Sequence, residues 1–214
     1  MRTTLGRFAM VVALTVGAAE GMATGDESPA SRLLQGERRA CCAVAPKAEA
    51  GLSERSIYQV EAPFTNDAGE RVTLAELRGR PVVLAMFFAN CSYACPLLVS
   101  DMARLRAALP EGVREEVRWV LVSFDAERDT PEALAAYRER VGLDAQWTLL
   151  HGDAESVQEL AMVLGVKYKR EASGGFAHSN LLTVLDREGE VVLRVEGLQQ
   201  PVAAAARALT VAAQ

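Results

Sequence analysis

The sequence predicts an α/β fold: a mixed β-sheet flanked by helices, preceded by an N-terminal leader and linker. Two continuous apolar runs, Val82 to Phe88 and Val117 to Phe124, are bounded by breakers and read as strands buried on both faces. A helix-period stretch from Ala94 to Leu109 joins them, which implies a right-handed parallel crossover. Near the C-terminus, Asp186-Arg187-Glu188-Gly189 separates two further apolar segments and signals a hairpin, which adds antiparallel strands.

Residues 1–23 have the form of a secretory signal. Arg2 and Arg7 supply a positive start, Phe8 to Ala19 an apolar centre, and Gly21-Met22-Ala23 or Val16-Gly17-Ala18 a small-residue cleavage site. An apolar run of about 12 residues is short for a membrane span. Cleaved, or kept as an N-terminal anchor, it puts the folded part outside the cytoplasm, in the periplasm or facing it. No cysteine follows the apolar centre directly, which argues against a lipid anchor. Residues 24–55, rich in Ala, Ser, Gly and charge, read as a flexible linker and carry the pair Cys41-Cys42.

The folded domain is expected over residues 56–214. Ile57 to Val60 alternates like a strand, and Phe64 to Val72 reads as a hairpin turning at Asn66-Asp67-Ala68-Gly69. Thr73 caps a short helix through Leu77, which Gly79-Arg80-Pro81 stops. After the first buried strand, the helix to Leu109 carries Leu97, Leu98, Met102, Leu105 and Leu109 on one face. Thr130-Pro131-Glu132 opens another helix, to Val141, with a capping residue, proline at its first position and an early acid. Trp147 to Leu150 is a short strand, and Asp153 caps a helix over Ala154 to Leu164. Residues 167–180 read as a Gly/Ser-containing loop, Leu181 to Leu185 and Val191 to Val195 as the late hairpin, and Pro201 to Ala212 as the closing helix. A thioredoxin-like sheet fits this order. In that architecture the loop after the first buried strand, at the N-terminus of its helix, is where chemistry sits.

That loop is Ala89-Asn90-Cys91-Ser92-Tyr93-Ala94-Cys95-Pro96. A spacing of four places Cys91 and Cys95 on one helix face, with Cβ atoms roughly 5–6 Å apart. A structural disulfide, a redox dithiol and a metal site are all open on this spacing. The helix N-terminus is expected to lower both thiol pKa values. A disulfide here closes a very small ring and gains little from chain entropy.

His178 precedes the strand at Leu181, on a loop that thioredoxin-like topology brings beside the cysteines. Viewed alone it is an ordinary loop histidine. Two thiolates with one imidazole make a soft set suited to Cu(I) and able to hold Cu(II), whereas zinc prefers a fourth ligand. His151, the other histidine, reads as a surface or capping residue. The chain has no proline between Pro131 and Pro201, where thiol oxidoreductases of this fold usually carry a cis-proline, and its motif is C-x-x-x-C rather than C-x-x-C. Both features disfavour a generic disulfide exchanger. A peroxiredoxin motif is absent, because Leu84 and Phe88 stand where Pro and Thr or Ser are required.

Residues from about Ser56 to Leu198 resemble the SCO/SenC family of copper-binding, thioredoxin-like proteins. Three segments carry the resemblance: Phe87 to Pro96, Val122 to Pro131 with its Asp125-x-x-Arg128-Asp129-Thr130-Pro131, and His178-Ser179 ahead of a strand. The resemblance implies copper ligation by Cys91, Cys95 and His178, with the two cysteines as the redox pair if thiol chemistry is used. It also implies copper delivery to, or redox maintenance of, a respiratory copper enzyme such as cytochrome oxidase, with a copper donor or thiol reductant as a further partner. A copper chaperone is the leading reading and a thiol–disulfide reductase acting on a cuproprotein the alternative. Asp125 and Asp129 match the family signature and read physically as turn and cap residues. Ser92 and Ala126 replace frequent prolines, and Ala177 replaces an aspartate that often precedes the ligand histidine. Loss of that carboxylate weakens orientation of the imidazole.

Composition narrows the partners. Lys+Arg 23 against Asp+Glu 28 gives a formal net charge of -5, which argues against nucleic acid. With no long apolar run after the leader, membrane contact is expected only through an uncleaved leader. Cys41-Cys42 reads as a pair of exposed tail thiols; the alternative is that they take copper from a donor or pair with another chain. Adjacent cysteines bridge each other only with strained geometry.

Overall fold

The computed structural model describes residues 51–172 and 174–214. The leader and Cys41-Cys42 lie outside the described residues. Among the described residues, nine strands and five α-helices are built on the core that the apolar runs predict. Strands β1 (Phe64–Asn66) and β2 (Arg71–Val72) form the first hairpin, followed by a single 3-10 turn over Leu74–Leu77. Strand β3 (Val82–Phe87) is buried at every position, and α1 (Ala94–Ala107) leads from it towards β4 (Arg118–Ser123). Between them lies α2 (Glu111–Glu116), six residues whose one large apolar side chain, the half-buried Val113, sets no apolar period in the sequence.

Helix α3 (Pro131–Val141) starts as expected, with the Thr130 hydroxyl accepting from the Ala133 N–H, and ends at Gly142 in the left-handed conformation. Strand β5 (Trp147–Gly152) runs two residues further than expected, so His151 is a strand residue opposite Thr65 rather than a cap. Asp153 caps α4 (Ala154–Leu164) through the Ser156 N–H. The late hairpin of β8 (Leu181–Leu185) and β9 (Val191–Glu196) and the final α5 (Ala203–Ala212) follow.

Two expectations are corrected. Ile57 to Gln59 is a 3-10 turn, not a strand: the Ser56 hydroxyl accepts from the Tyr58 N–H and winds the chain so that Ile57 and Tyr58 are both buried. Alternating apolar residues can serve a turn when consecutive side chains both find the core. Residues 167–180 are not simply loop. They contain the hairpin of β6 (Tyr168–Arg170) and β7 (Phe176–His178), whose short strands show too little apolar alternation to stand out.

The main sheet has the order β2-β1-β5-β4-β3-β8-β9. Strands β3, β4 and β5 are parallel, and the others join antiparallel. Both central strands are consequently buried on two faces, and Trp119, Leu84, Leu121 and Phe87 fill the interior between sheet and helices. The C-terminal ends of β3 and β4 lie side by side, and the β6–β7 hairpin reaches over them, as its ring contacts below show.

Candidate metal centre

Strand β3 ends at Phe87, and the chain turns sharply as the Cys91 N–H donates to the Phe88 carbonyl at 3.2 Å. Tyr93 stands at the N-cap of α1 but caps nothing with its side chain. Instead the Cys95 N–H donates to Cys91 Sγ at 3.3 Å, so a sulfur occupies the place of a capping oxygen. Cys91 is half-buried and Cys95 fully buried, and both are free thiols.

His178 is the last residue of β7, in a two-stranded sheet separate from the main one. Its position is set by the register Tyr168↔His178 and by Ser179, whose hydroxyl accepts from the Lys167 N–H at 2.9 Å while its own N–H donates to the Lys167 carbonyl at 2.8 Å. This double tie closes the base of the hairpin. The His178 ring rests on an aromatic floor: Phe124 at 5.0 Å and Phe88, edge-on, at 6.1 Å between centroids. Phe176 and Tyr168 extend the floor against Phe124 at 5.1 and 5.2 Å. Sequence reasoning missed this cluster. Its signal was present in Phe88 and Phe124, which end the two buried runs, but Tyr168 and Phe176 join only through tertiary contact.

Cys91 Sγ, Cys95 Sγ and a His178 ring nitrogen lie within 4.8 Å of one another. Among the described residues this is the one group of three or more His, Cys, Asp or Glu side chains placed to hold a metal ion. The three residues singled out from the sequence therefore meet, and His151 does not join them. The donor set fits a soft cation: two sulfurs and one imidazole, held at distances one ion can bridge. His178 Nδ1 is 3.2 Å from the Ser179 carbonyl oxygen. Donation of Nδ1–H to that carbonyl leaves the Nε2 lone pair for a ligand. The backbone thus does part of the orienting that the carboxylate missing at Ala177 would do.

The two aspartates of the Val122–Pro131 segment bracket a turn, with the Asp125 carbonyl accepting from the Arg128 and Asp129 N–H groups at 3.2 and 3.0 Å, but neither caps the helix that follows. Both are buried, Asp125 completely. Asp129 Oδ2 accepts from the Ala89 N–H at 2.7 Å and the Ser123 hydroxyl at 2.6 Å, which braces the start of the Cys91 loop against the end of β4. Thr130 alone does the capping. Asp125 pairs with Arg128 at 2.5 Å and Arg170 at 3.3 Å, and Arg128 also donates to the Gly174 carbonyl at 2.6 Å. Both guanidinium groups lie over the Phe176 ring. One buried carboxylate thereby clamps both strands of the hairpin that carries His178. A buried charge of this kind is tolerated because two cations and their hydrogen bonds surround it.

Electrostatics correct one further expectation. Burial pushes the Cys95 thiol up, not down, because taking a thiolate out of water costs more than one helix end returns. Burial likewise raises Asp129, against the opposing hydrogen bonds from Ser123 and Ala89. Tyr137, packed 5.1 Å from Phe87 behind the loop, is raised by the same cause.

The sequence model of the SCO1/SenC family matches residues 53–213. A Stutzerimonas stutzeri protein named for copper binding is 31% identical over 159 residues, which covers 69% of this chain and 75% of that protein. The crystal structure of Arabidopsis thaliana ScoI with copper bound superposes with a TM-score of 0.61 at 22% identity, over 71% of this chain and 94% of that one. BsSco, described as a member of the Sco family of cytochrome c oxidase assembly proteins with a disulfide switch, superposes with a TM-score of 0.64 at 23% identity, over 77% and 99%. At these identities the two structures establish the shared thioredoxin-like fold.

Proposed function

The chain belongs to the SCO1/SenC family, and from that premise we propose that it is an exported copper chaperone, with Cys91, Cys95 and His178 holding the metal as cargo. The observation that carries this reading is the convergence of the three donor atoms within 4.8 Å from two segments far apart in the chain. Two thiolate sulfurs favour Cu(I), and the imidazole extends the set to Cu(II). Because burial holds the Cys95 proton tightly, loading displaces that proton, and the affinity falls as the pH drops.

Half-burial of Cys91 and His178 leaves one side of the site open to a docking partner, while the aromatic floor closes the other. Delivery to a respiratory copper enzyme such as cytochrome c oxidase follows the role named for BsSco. The leader at residues 1–23 supports a site of action in the periplasm, or facing it from the membrane.

A Cu(I) titration against a chromophoric chelator tests the ligand set. One ion is expected per chain, with His178→Ala weakening the binding by a factor of roughly 100 and Cys91→Ser or Cys95→Ser abolishing it. Parental affinity in His178→Ala would sink the assignment.

A second reading is favoured by the closeness of the two free sulfurs. Cys91 and Cys95 as a dithiol reduce a disulfide in a cuproprotein: two electrons and two protons pass to the partner, and the pair is left as a disulfide. Fast turnover of metal-free protein with a disulfide substrate and a thiol reductant, retained in His178→Ala, would favour the reductase over the chaperone.

A further inference from the structure

The chain reaches Cys91 through a four-residue turn. The Cys91 N–H donates to the Phe88 carbonyl at 3.2 Å, which makes Ala89 and Asn90 the two central residues. In such a turn the central peptide, here the Ala89 carbonyl with the Asn90 N–H, can flip while the closing hydrogen bond stays made. Type I and type II turns differ in the orientation of this plane. The flipped form needs a positive φ at the third residue, which asparagine tolerates and a β-branched residue does not. Asn90 therefore permits both forms. The folded turn is the unflipped one, because Gln199 is the one non-glycine with a positive φ among the described residues.

Asp129 holds the peptide before this one, through the Ala89 N–H at 2.7 Å. The central peptide is held from α3, where Arg140 Nη2 donates to the Ala89 carbonyl at 3.1 Å. The guanidinium lies 5.1 Å over the ring of Tyr137, one helical turn earlier, and that buried ring packs 5.1 Å from Phe87. Arg140 is exposed, yet it rests on a fixed aromatic platform rather than swinging in solvent. No carboxylate pairs with it among the described residues, whereas Arg138 in the same last turn is taken up by Asp67. We propose that Arg140 is a positioning residue for the metal centre: it locks the Ala89–Asn90 peptide and so fixes where Cys91 Sγ stands relative to Cys95 and His178. Arg140 acts through the turn and supplies no donor atom to the metal. The consequence for copper rests on the chaperone reading; the lock itself does not.

Two measurements on the purified protein test this. In NMR spectra of the reduced, metal-free chain, a strong Ala89 Hα–Asn90 HN NOE marks the flipped turn. It is expected to be weak in the parent and to strengthen in Arg140→Ala. In competition with a chromophoric chelator, Arg140→Ala is expected to weaken Cu(I) binding roughly fivefold, the value of one hydrogen bond from a charged donor. Arg140→Lys keeps the cation without the flat fork and should recover only part of the loss. Adding Asn90→Val to Arg140→Ala disfavours the flipped turn and should restore both the weak NOE and most of the affinity. Parental NOE and affinity in Arg140→Ala, or no recovery with Asn90→Val, would overturn the proposal. Full recovery in Arg140→Lys, with a deficit that vanishes at high salt, would also overturn it by reducing Arg140 to a plain charge at a helix C-terminus. Failure of the parent to load copper would strike the chaperone reading, and the NOE would still decide the role of Arg140.

Discussion

Replacing Asp129 with alanine removes the acceptor beneath the Cys91 loop, and the structure sets the size of the loss. Asp129 is 2% exposed, and its Oδ2 takes both the Ala89 N–H at 2.7 Å and the Ser123 hydroxyl at 2.6 Å. Ser123 in turn accepts from the Asp125 N–H at 2.9 Å, so its hydroxyl is held with the proton towards Asp129. In Asp129→Ala two buried donors lose their acceptor at a cost of about 1–3 kcal/mol each. Relief from burying a carboxylate offsets part of this, which leaves a net destabilisation of about 2–3 kcal/mol. Asp129→Asn retains an acceptor oxygen of the same reach, and its cost is expected to stay below about 1 kcal/mol.

The sign of the pH dependence is also set. Burial raises the Asp129 pKa in the folded state, so the contribution of its neutral form is complete below the unfolded value and is lost as pH rises through the folded one. The parent should therefore lose stability relative to Asp129→Asn as the pH climbs from roughly 4, then run level with it at a constant offset. Urea unfolding of the reduced, metal-free proteins across that range measures both effects. Asp129→Ala within about 0.5 kcal/mol of the parent, or Asp129→Asn as damaging as Asp129→Ala, would refute the bracing role.

Three further outcomes are expected. Phe124→Ala removes the centre of the aromatic floor and should cost about 3–5 kcal/mol in denaturant unfolding, with a weaker copper affinity because His178 loses its support. Iodoacetamide followed by mass spectrometry should label Cys91 well before Cys95, which is fully buried and whose thiol burial holds protonated; equal labelling would contradict the geometry. Gly165→Ala puts a Cβ at φ +79 with nothing within 4 Å, so the loss is backbone strain alone, about 1–2 kcal/mol by thermal or chemical unfolding.

Much of the framework was legible before any tertiary structure. Val82–Phe87 and Arg118–Ser123 are strands because their apolar runs are too continuous for any half-exposed element. Thr130 and Asp153 announce their helices because capping is local chemistry between a side chain and an N–H three residues on. Elements whose definition depends on what covers them were not legible. Ile57 to Gln59 alternates like a strand and winds as a turn, α2 rests on the core through Val113 alone, and the β6–β7 hairpin is recognisable only once Arg128 and Arg170 fold onto Asp125.

The same division runs through the metal centre. Cys91 and Cys95 are readable as neighbours because a spacing of four at a helix start is a local geometry that the chain carries wherever it folds. Their meeting with His178 is decided by sheet order, since β3 and β8 pair across a long stretch of sequence and bring the hairpin base beside the Cys loop. Local reasoning also misjudged the Cys95 thiol: the helix end is visible in sequence, but desolvation, which outweighs it, depends on every segment packed around the sulfur. By itself the sequence determined which strands are buried, where the helices start and which donors are available. Only the tertiary structure decided which of those donors converge and how much water each one keeps, because convergence and burial are properties of segments that meet rather than of any one segment.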